Sequence, residues 1–369
     1  MEQRVVWIVV LVETLFAGGL MLLLPRITRR GLLFGVYVGE RAAGEEAARD
    51  ITRGWYFAMV ATLALTLVAL LAGLLAAGSP ALAPLAMFIL LAGFAGAYLR
   101  AHFRARELAP ASPPPPAAAV LIGEQPRGLV LPLVAIGFAL LCGTLVVAYT
   151  AAQYPHLPAR IPVHFDIAGR PDGWSTRSFG TVMVLPLMTL VLGAGLGGMA
   201  LLVARAKRAV RTADGGVSLA AQLRFRGAMT AFLSVTAMLA TAMLAVLSVM
   251  SLRVALGQAE RLSPLFMILT GVLLLFSLGG SVYIALRYGQ GGARLERSAA
   301  GAPLTDGLAD NRRWLLGMFY FDREDPSIFV ENRFGLGYTM NFGNWRAWLT
   351  IGAFMAVMLL LSVIAIVSA

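Results

Sequence analysis

Histidine and carboxylate side chains are concentrated in one short stretch of this chain, residues 151–181. The set consists of His156, His164, Asp166 and Asp172, followed by Trp174. Imidazole and carboxylate groups can hold a divalent cation or carry out acid–base chemistry. The spacing His-x7-His-x-Asp is not a common metal-ligand pattern, so we favour a rigid, hydrogen-bonded loop that binds a ligand. A metal site and an acid–base site stay open as alternatives.

The backbone of the same stretch has features that would hold these side chains in place. Pro155, Pro158 and Pro162 favour extended backbone, because proline fixes φ and lacks an N–H. Residues 169–173 read Gly-Arg-Pro-Asp-Gly, which predicts a turn in which Asp172 bonds its own backbone.

Glu13 is the one ionisable side chain near the centre of a long apolar run, residues 5–24. In a helix over this run it would lie roughly 12 Å from either end. The apolar runs of the chain contain no lysine or arginine to pair with it. An acid at this depth is a candidate proton carrier, or a neutral group that ties helices together, and the sequence leaves both open.

Four hydroxyl side chains mark one face of a further apolar run, residues 227–250. Thr230, Ser234, Thr241 and Ser248 would fall within about 40° of one another around a helix. We call this set the hydroxyl seam. Hydrogen bonding between helices is the favoured interpretation, and a path for a solute is the alternative.

The composition places these residues in a membrane protein. Of 369 residues, 59 % are apolar and only 13 % are charged, whereas a soluble chain carries about 25 % charged residues. A spanning helix needs about 20 apolar residues. Eight runs qualify: residues 5–24, 55–77, 81–99, 128–149, 182–203, 227–250, 264–286 and 348–369. We therefore predict an all-α integral membrane protein, a polytopic bundle of about eight transmembrane helices in the lipid bilayer.

The positive charges predict the orientation of this bundle. If both termini lie outside, 24 of the 30 lysine and arginine residues fall in cytoplasmic loops and 6 fall outside. Because positive charge is retained on the cytoplasmic side, we expect both termini outside. The net charge of +11 then reflects orientation, and nucleic acid is not expected as a partner.

The loops divide the chain into five parts. Residues 1–107 are predicted to form a three-helix membrane region, and residues 108–126 a proline-rich cytoplasmic linker. Residues 127–286 form a second membrane region that contains the outer loop 151–181. Residues 287–346 are cytoplasmic, and residues 347–369 form the last transmembrane helix.

The cytoplasmic segment carries a small aromatic module with a β-like composition. Ten of the 34 aromatic residues of the chain lie between Trp314 and Trp348, too many for a solvated tail. Strands are predicted over residues 317–321, 328–331 and 338–342, with a turn over 322–326. So small a sheet must lean on the membrane surface, its own bundle or a partner. Packing on its own bundle is favoured, and a docking face that includes Trp314, Tyr320 and Arg333 is the alternative.

Two segments resemble known families. Leu157-Pro158, Ile161-Pro162-Val-His164-Phe165, Gly169, Pro171-Asp172 and Trp174 resemble the hallmark of the domain of unknown function numbered 1648, which is shared with the SdpI immunity-protein family of bacterial membrane proteins. Trp314-Leu-Leu-Gly317, Arg333-Phe334-Gly335 and Gly337-Tyr338-Thr339-Met-Asn341-Phe342-Gly343 are similar to the module numbered 5808. The first resemblance implies protection against a secreted antimicrobial peptide and retention of a transcriptional repressor at the membrane.

We therefore expect an SdpI-like protein of the bacterial plasma membrane that senses or resists an envelope-active ligand and signals to a cytosolic regulator. The outer-loop set His156, His164, Asp166, Asp172 and Trp174 would bind the ligand. A proton-coupled exporter that uses Glu13 and the hydroxyl seam is one alternative. A metal-dependent membrane enzyme is the other. No catalytic residue and no cofactor is predicted.

Overall fold

The computed structural model describes residues 2–28, 31–75, 83–111, 128–166, 168–205, 215–289, 310–333 and 337–367, together with residues 292 and 295. The predicted proline-rich linker therefore falls almost entirely outside the described residues. So does most of the chain between residues 289 and 310.

The N-terminal helices form one packed group. Its long members are α1 (Glu2–Ile27), α3 (Glu46–Leu75) and α4 (Ala83–Arg106). Helix α3 packs against both of the others, and most extensively against α4. A short helix, α2 (Glu40–Ala43), precedes α3.

A tight hairpin connects α1 to α2. Its strands, β1 (Leu32–Leu33) and β2 (Val36–Tyr37), pair antiparallel. Phe34 and Gly35 between them have φ values of 44° and 77°. All of residues 31–38 are buried, because the loop is covered by other parts of the protein.

The remaining helices form a second group: α5 (Val130–Gln153), α6 (Phe179–Ala204), α7 (Gly215–Ala255), α8 (Pro264–Arg287) and α9 (Trp345–Val367). Helices α5, α6 and α7 pack on one another, while α8 lies against α7 and α9 against α6. Glycines allow a close approach between α5 and α6: a Cβ added to Gly143 would lie 2.7 Å from the Leu190 Cα atom. Ser178 begins α6 with a capping box, because its Oγ accepts from the Thr181 N–H at 3.1 Å and Thr181 bonds back.

Six helices contain segments long and apolar enough to cross a membrane: Glu46–Gly73, Pro84–Arg106, Val130–His156, Phe179–Ala204, Leu223–Ala255 and Pro264–Arg287. Helix α9 contributes a shorter apolar segment, Trp345–Leu360. Within its described residues, α1 contains no segment of the same length and apolar character. The prediction of a mostly helical, multi-pass membrane protein is confirmed. The predicted count of eight spans is not.

Three further two-stranded sheets lie outside the helices. Strands β3 (Arg160–Phe165) and β4 (Pro171–Thr176) form a hairpin between α5 and α6. In the aromatic module, β5 (Trp314–Leu315) pairs with β6 (Phe319–Tyr320), and β7 (Phe329–Glu331) pairs with β8 (Tyr338–Met340). The sequence predicted strands near β6, β7 and β8 but missed β5, which a turn at positive φ over Leu316 and Gly317 folds onto β6.

The chain path places the β3–β4 hairpin and the aromatic module at opposite ends of the second helix group. The hairpin follows the last residue of α5 and precedes the first residue of α6. At the far end of α6, Val203 packs in one cluster with Tyr338 of the module. We refer to these as the hairpin end and the module end.

Candidate functional site

The β3–β4 hairpin turns at residues 166–170. The Asp166 N–H donates to the Arg170 carbonyl at 2.8 Å, and the Arg170 N–H donates to Asp166 Oδ1 at 2.7 Å. Gly169 supplies a φ of 76°. The predicted turn over residues 169–173 was therefore placed too late, because Asp166 rather than Asp172 bonds the turn backbone and Pro171 already begins β4.

The exposed surface of this hairpin, which has a bulge at His164, presents three of the predicted ligand-binding side chains. His164 Nδ1 lies 2.5 Å from Asp172 Oδ1, and the two side chains are 72 % and 44 % exposed. Asp172 and Trp174 share one face of β4, since residues two apart in a strand point the same way. Trp174 is 51 % exposed. The face thus combines an imidazole, a carboxylate and an indole that are all accessible.

The hairpin is anchored to the helices beneath it. The Leu262 N–H donates to the Gly169 carbonyl at 2.8 Å, and the Arg177 guanidinium bonds the Leu157 carbonyl. Ile161 is buried in a cluster with Val182 of α6 and Leu252 of α7. The exposed face is therefore held in a fixed position relative to α6 and α7.

A cavity of about 190 Å³ lies between the hairpin and the helix ends. Its wall includes four hydroxyl-bearing residues, Thr150, Thr181, Ser248 and Ser251. The Thr150 Oγ1 is buried and has no hydrogen-bond partner among the described residues. Ser248, the last member of the hydroxyl seam along α7, therefore lines the same cavity as residues of the hairpin.

The other two predicted outer-loop residues lie apart from the exposed face. Asp166 bonds the turn backbone, and His156 is exposed in a short 3₁₀ helix, Tyr154–His156, at the end of α5. Within the part of the chain that the structure describes, no group of three histidine, cysteine, aspartate or glutamate side chains could hold a metal ion.

The hydroxyl seam is buried inside the second helix group, between 0 % and 4 % exposed at all four positions. Ser234, Thr241 and Ser248 each donate to the carbonyl four residues earlier in α7. Ser248 also contacts Thr189 Oγ1 of α6 at 3.3 Å. The predicted bonding between helices is thus present at Ser248, whereas Ser234 and Thr241 bond within α7 and the buried Thr230 Oγ1 has no partner among the described residues.

Glu13 lies in the other helix group. It is exposed on α1, whereas the adjacent Thr14 is fully buried, with its Oγ1 3.8 Å from Met87 Sδ of α4. Helix α1 packs on α3 and α4, and the seam helix α7 packs on α5, α6 and α8. The structure does not bring Glu13 and the hydroxyl seam together within the described residues.

In the aromatic module, a buried asparagine connects the two small sheets. Asn341 Nδ2 donates to the Asp322 and Asp325 carbonyls at 2.8 and 2.9 Å. Its Oδ1 accepts from the Asp322 and Gly343 N–H groups, both at 3.0 Å. These four bonds fix the loop between β6 and β7 against the strand β8.

Tyr320 lies under the same loop. Its hydroxyl is 3.1 Å from Asp325 Oδ2 and 3.2 Å from Asp322 Oδ2. Burial raises the pKa of Tyr320 above its usual range; Arg313 opposes this shift, and the two carboxylates add to it. The phenol therefore acts as a neutral hydrogen-bond donor inside the module.

The module also binds the loop that follows α1. Arg333 Nη1 donates to the Gly35 carbonyl at 3.2 Å and to Asn311 Oδ1 at 2.9 Å. Asn311 in turn bonds the Tyr37 N–H and carbonyl, at 2.8 and 3.0 Å. From α4, the Tyr98 hydroxyl donates to the Leu316 carbonyl at 2.8 Å.

This packing changes the interpretation of the predicted docking face. Trp314, Tyr320 and Arg333 are only 6 %, 4 % and 1 % exposed. They stabilise the interior of the module and cannot form an exposed face for a regulator. The sequence identified these residues as candidates for a contact surface. The residue types alone did not show whether their side chains lie inside the module or on its surface.

Sequence reasoning also missed the residues that join distant segments. Asn341 and Gly317 were quoted only for the resemblance to the module numbered 5808, and neither they nor Asn311 and Gly35 were predicted to join segments. A Cβ added to Gly317 would lie 2.6 Å from the Gly35 Cα atom, so both positions need glycine. The available signal was a glycine between short apolar stretches, as in Phe34-Gly35 and Leu316-Gly317.

Comparison with known families finds two matches along the chain. The model described as "Domain of unknown function (DUF1648)" matches residues 141–190, which cover the end of α5, the β3–β4 hairpin and the first part of α6. "Family of unknown function (DUF5808)" matches residues 323–348, which cover the second part of the module and the start of α9. The two expected domains are thus confirmed, whereas membership of the SdpI family is not. Comparisons with curated proteins and with solved structures give no match.

Proposed function

We propose that this chain is an SdpI-like receptor or resistance protein of the bacterial plasma membrane. The β3–β4 hairpin would bind an envelope-active ligand, such as an antimicrobial peptide, outside the cell. The aromatic module would pass the signal to a cytosolic regulator. This orientation rests on the excess of positive charge at the module end.

The exposed face of the hairpin is the observation that carries the proposal. His164 and Asp172 form a pair that water reaches, beside an exposed Trp174. An exposed aromatic ring next to a hydrogen-bonding pair is typical of a binding surface, because the ring supplies area and the polar pair supplies direction. All three side chains are exposed, so none of them belongs to the buried core beneath the hairpin.

The helices under the hairpin provide a route for the signal. Helices α6 and α7 contact the hairpin through Val182 and Leu252. At the module end the same helices contact Tyr338 through Val203 and Phe225. A shift of α6 relative to α7 would therefore be felt at both ends.

The test is survival of cells that express the wild type, His164→Ala or Trp174→Ala, exposed to a panel of membrane-active peptides at matched membrane levels. Glu260→Gln is the matched control, because it alters an exposed polar side chain at the same end outside the hairpin. We expect the wild type and the control to protect, and both hairpin variants to lose protection. Absence of protection by the wild type, or equal protection by His164→Ala, would overturn the proposal.

A further inference from the structure

A second, larger cavity of about 520 Å³ lies at the module end. Its wall is formed by the last turn of α4, the β1–β2 loop and the start of the aromatic module. The volume is within the range of about 300–1,000 Å³ that is usual for small-molecule sites. The cavity does not involve the hairpin, and the inference drawn from it does not depend on the proposed function.

The lining of this cavity is strongly basic. Among the described lining residues, Arg106, Arg312 and Arg333 face a single carboxylate, Asp310. That carboxylate is already engaged: Oδ2 accepts from Arg313 Nε at 3.2 Å, and Oδ1 accepts from the Arg312 N–H at 3.0 Å. The cavity therefore retains an excess of positive charge.

Two buried side chains form part of its inner wall. Arg333 is 1 % exposed, and its guanidinium carbon lies 5.1 Å from the ring centre of Trp314. The Trp314 Nε1 is buried and has no hydrogen-bond partner among the described residues. The buried Arg333 guanidinium therefore adds positive charge beneath the cavity, where salt screens it less than at the protein surface.

The position of the cavity matches the level of lipid headgroups. The apolar segment of α4 ends at Arg106, which lines the cavity. Exposed aromatic side chains lie close to the same end, including Phe319, Trp345 and Trp348, as is typical of residues at a membrane surface. Basic pockets at this level favour phosphate groups.

From the charge and the position, we infer that this cavity binds a phosphate-bearing anion. Arginine suits phosphate because its planar guanidinium donates two parallel hydrogen bonds. The phosphate belongs either to the headgroup of an anionic phospholipid or to a soluble phosphate compound. Arg106 and Arg312, which are exposed, contact the anion from the mouth of the cavity.

The experiment compares two double variants of the full chain that lose the same charge. Arg106→Gln with Arg312→Gln changes the cavity mouth. Arg104→Gln with Arg323→Gln is the control, because both of these arginines are exposed and neither lines the cavity. Phosphatidylglycerol is titrated into the purified protein and followed by native mass spectrometry. Inorganic phosphate is titrated calorimetrically into protein in phosphatidylcholine nanodiscs.

We expect the cavity double variant to lose at least about tenfold in affinity for one of the two probes, with the control unchanged. A loss confined to phosphatidylglycerol assigns the site to a lipid, and a loss for inorganic phosphate assigns it to a soluble anion. If neither probe binds, or if both double variants behave alike, the inference is wrong.

Discussion

The β3–β4 hairpin and the aromatic module use similar polar groups in opposite surroundings. In the hairpin, His164 and Asp172 pair at 2.5 Å while 72 % and 44 % of their side chains stay exposed. In the module, Asn341 and Arg333 are 0 % and 1 % exposed and bond backbone groups from several segments. An exposed pair adds little to stability and stays available to a ligand, whereas a buried one holds the chain together.

The strongest test of this contrast is the removal of Asn341. In Asn341→Ala, two carbonyls and two N–H groups of the module lose their buried partner. We expect the module to lose at least about 3 kcal/mol of local stability. Hydrogen–deuterium exchange over residues 310–344 of the full chain should show the loss as faster exchange there, with the hairpin unchanged.

Two further variants separate the hydrogen bonds from the shape of the side chain. Asn341→Asp keeps the size but replaces the Nδ2 donor by an oxygen that faces the Asp322 and Asp325 carbonyls. It should destabilise the module as much as Asn341→Ala does. Glu324→Ala, at an exposed position of the same module, should leave exchange unchanged. Equal exchange in Asn341→Ala and the wild type would mean that the buried network is not what stabilises the module.

The next largest effect is expected where the module meets the loop after α1. A Cβ in Gly317→Ala would lie 2.6 Å from the Gly35 Cα atom, and Gly317 has a φ of 69°. We expect a loss of about 2–3 kcal/mol, measured by thermal unfolding in detergent.

Gly257→Ala provides the matched control for Gly317→Ala. Gly257 has a φ of 72°, but a Cβ there would meet nothing within 4 Å. It should therefore cost only the backbone strain, about 1 kcal/mol. If the two variants unfold at the same temperature, the contact between the loop and the module contributes nothing beyond glycine conformation.

How much of the fold the sequence predicted depends on what each pattern measures. Apolar runs located the helices, because transfer into lipid needs about 20 apolar residues. They did not locate helix ends: α3 begins at Glu46, nine residues before the apolar run predicted from residue 55, since polar residues continue the same helix. In the same way, α7 begins at Gly215, well before residue 227.

The residues of the hairpin site were easier to predict from the sequence than the buried residues of the module. His164, Asp172 and Trp174 are close in sequence, so proline and turn signals were enough to bring them to one loop, although the turn itself was misplaced. The contact between Arg333 and Gly35 spans 298 residues. No local pattern encodes such a contact, and for this reason the buried character of Trp314, Tyr320 and Arg333 was not predicted.

Alkaline pH offers a smaller effect, to which Tyr320 of the module contributes. The usual pKa of a tyrosine is about 10, and burial raises that of Tyr320. Below pH 10 the phenol is protonated in both the folded and the unfolded chain, so its contribution does not change. Above pH 10 only the unfolded chain ionises readily, and stability falls by about 1.4 kcal/mol per pH unit.

Tyr320→Phe tests this explanation, because it removes the ionisable group and keeps the ring. The variant should start about 1 kcal/mol less stable through the lost hydrogen bond, and should then lose less stability than the wild type above pH 10. The measurement is thermal unfolding at a series of pH values from 8 to about 11. Parallel curves for the two proteins would show that Tyr320 does not control the alkaline loss.

The smallest effect on stability is expected in the hairpin. His164→Ala removes an exposed pair, and such pairs contribute at most about 1 kcal/mol. The hairpin remains fixed by the Leu262 and Arg177 hydrogen bonds to its backbone, which the variant leaves intact. Thermal unfolding of His164→Ala should therefore match that of the wild type, even where its protection against peptides is lost. A large drop in unfolding temperature would instead place His164 among the residues that stabilise the fold, and would remove the distinction between the two ends of the molecule.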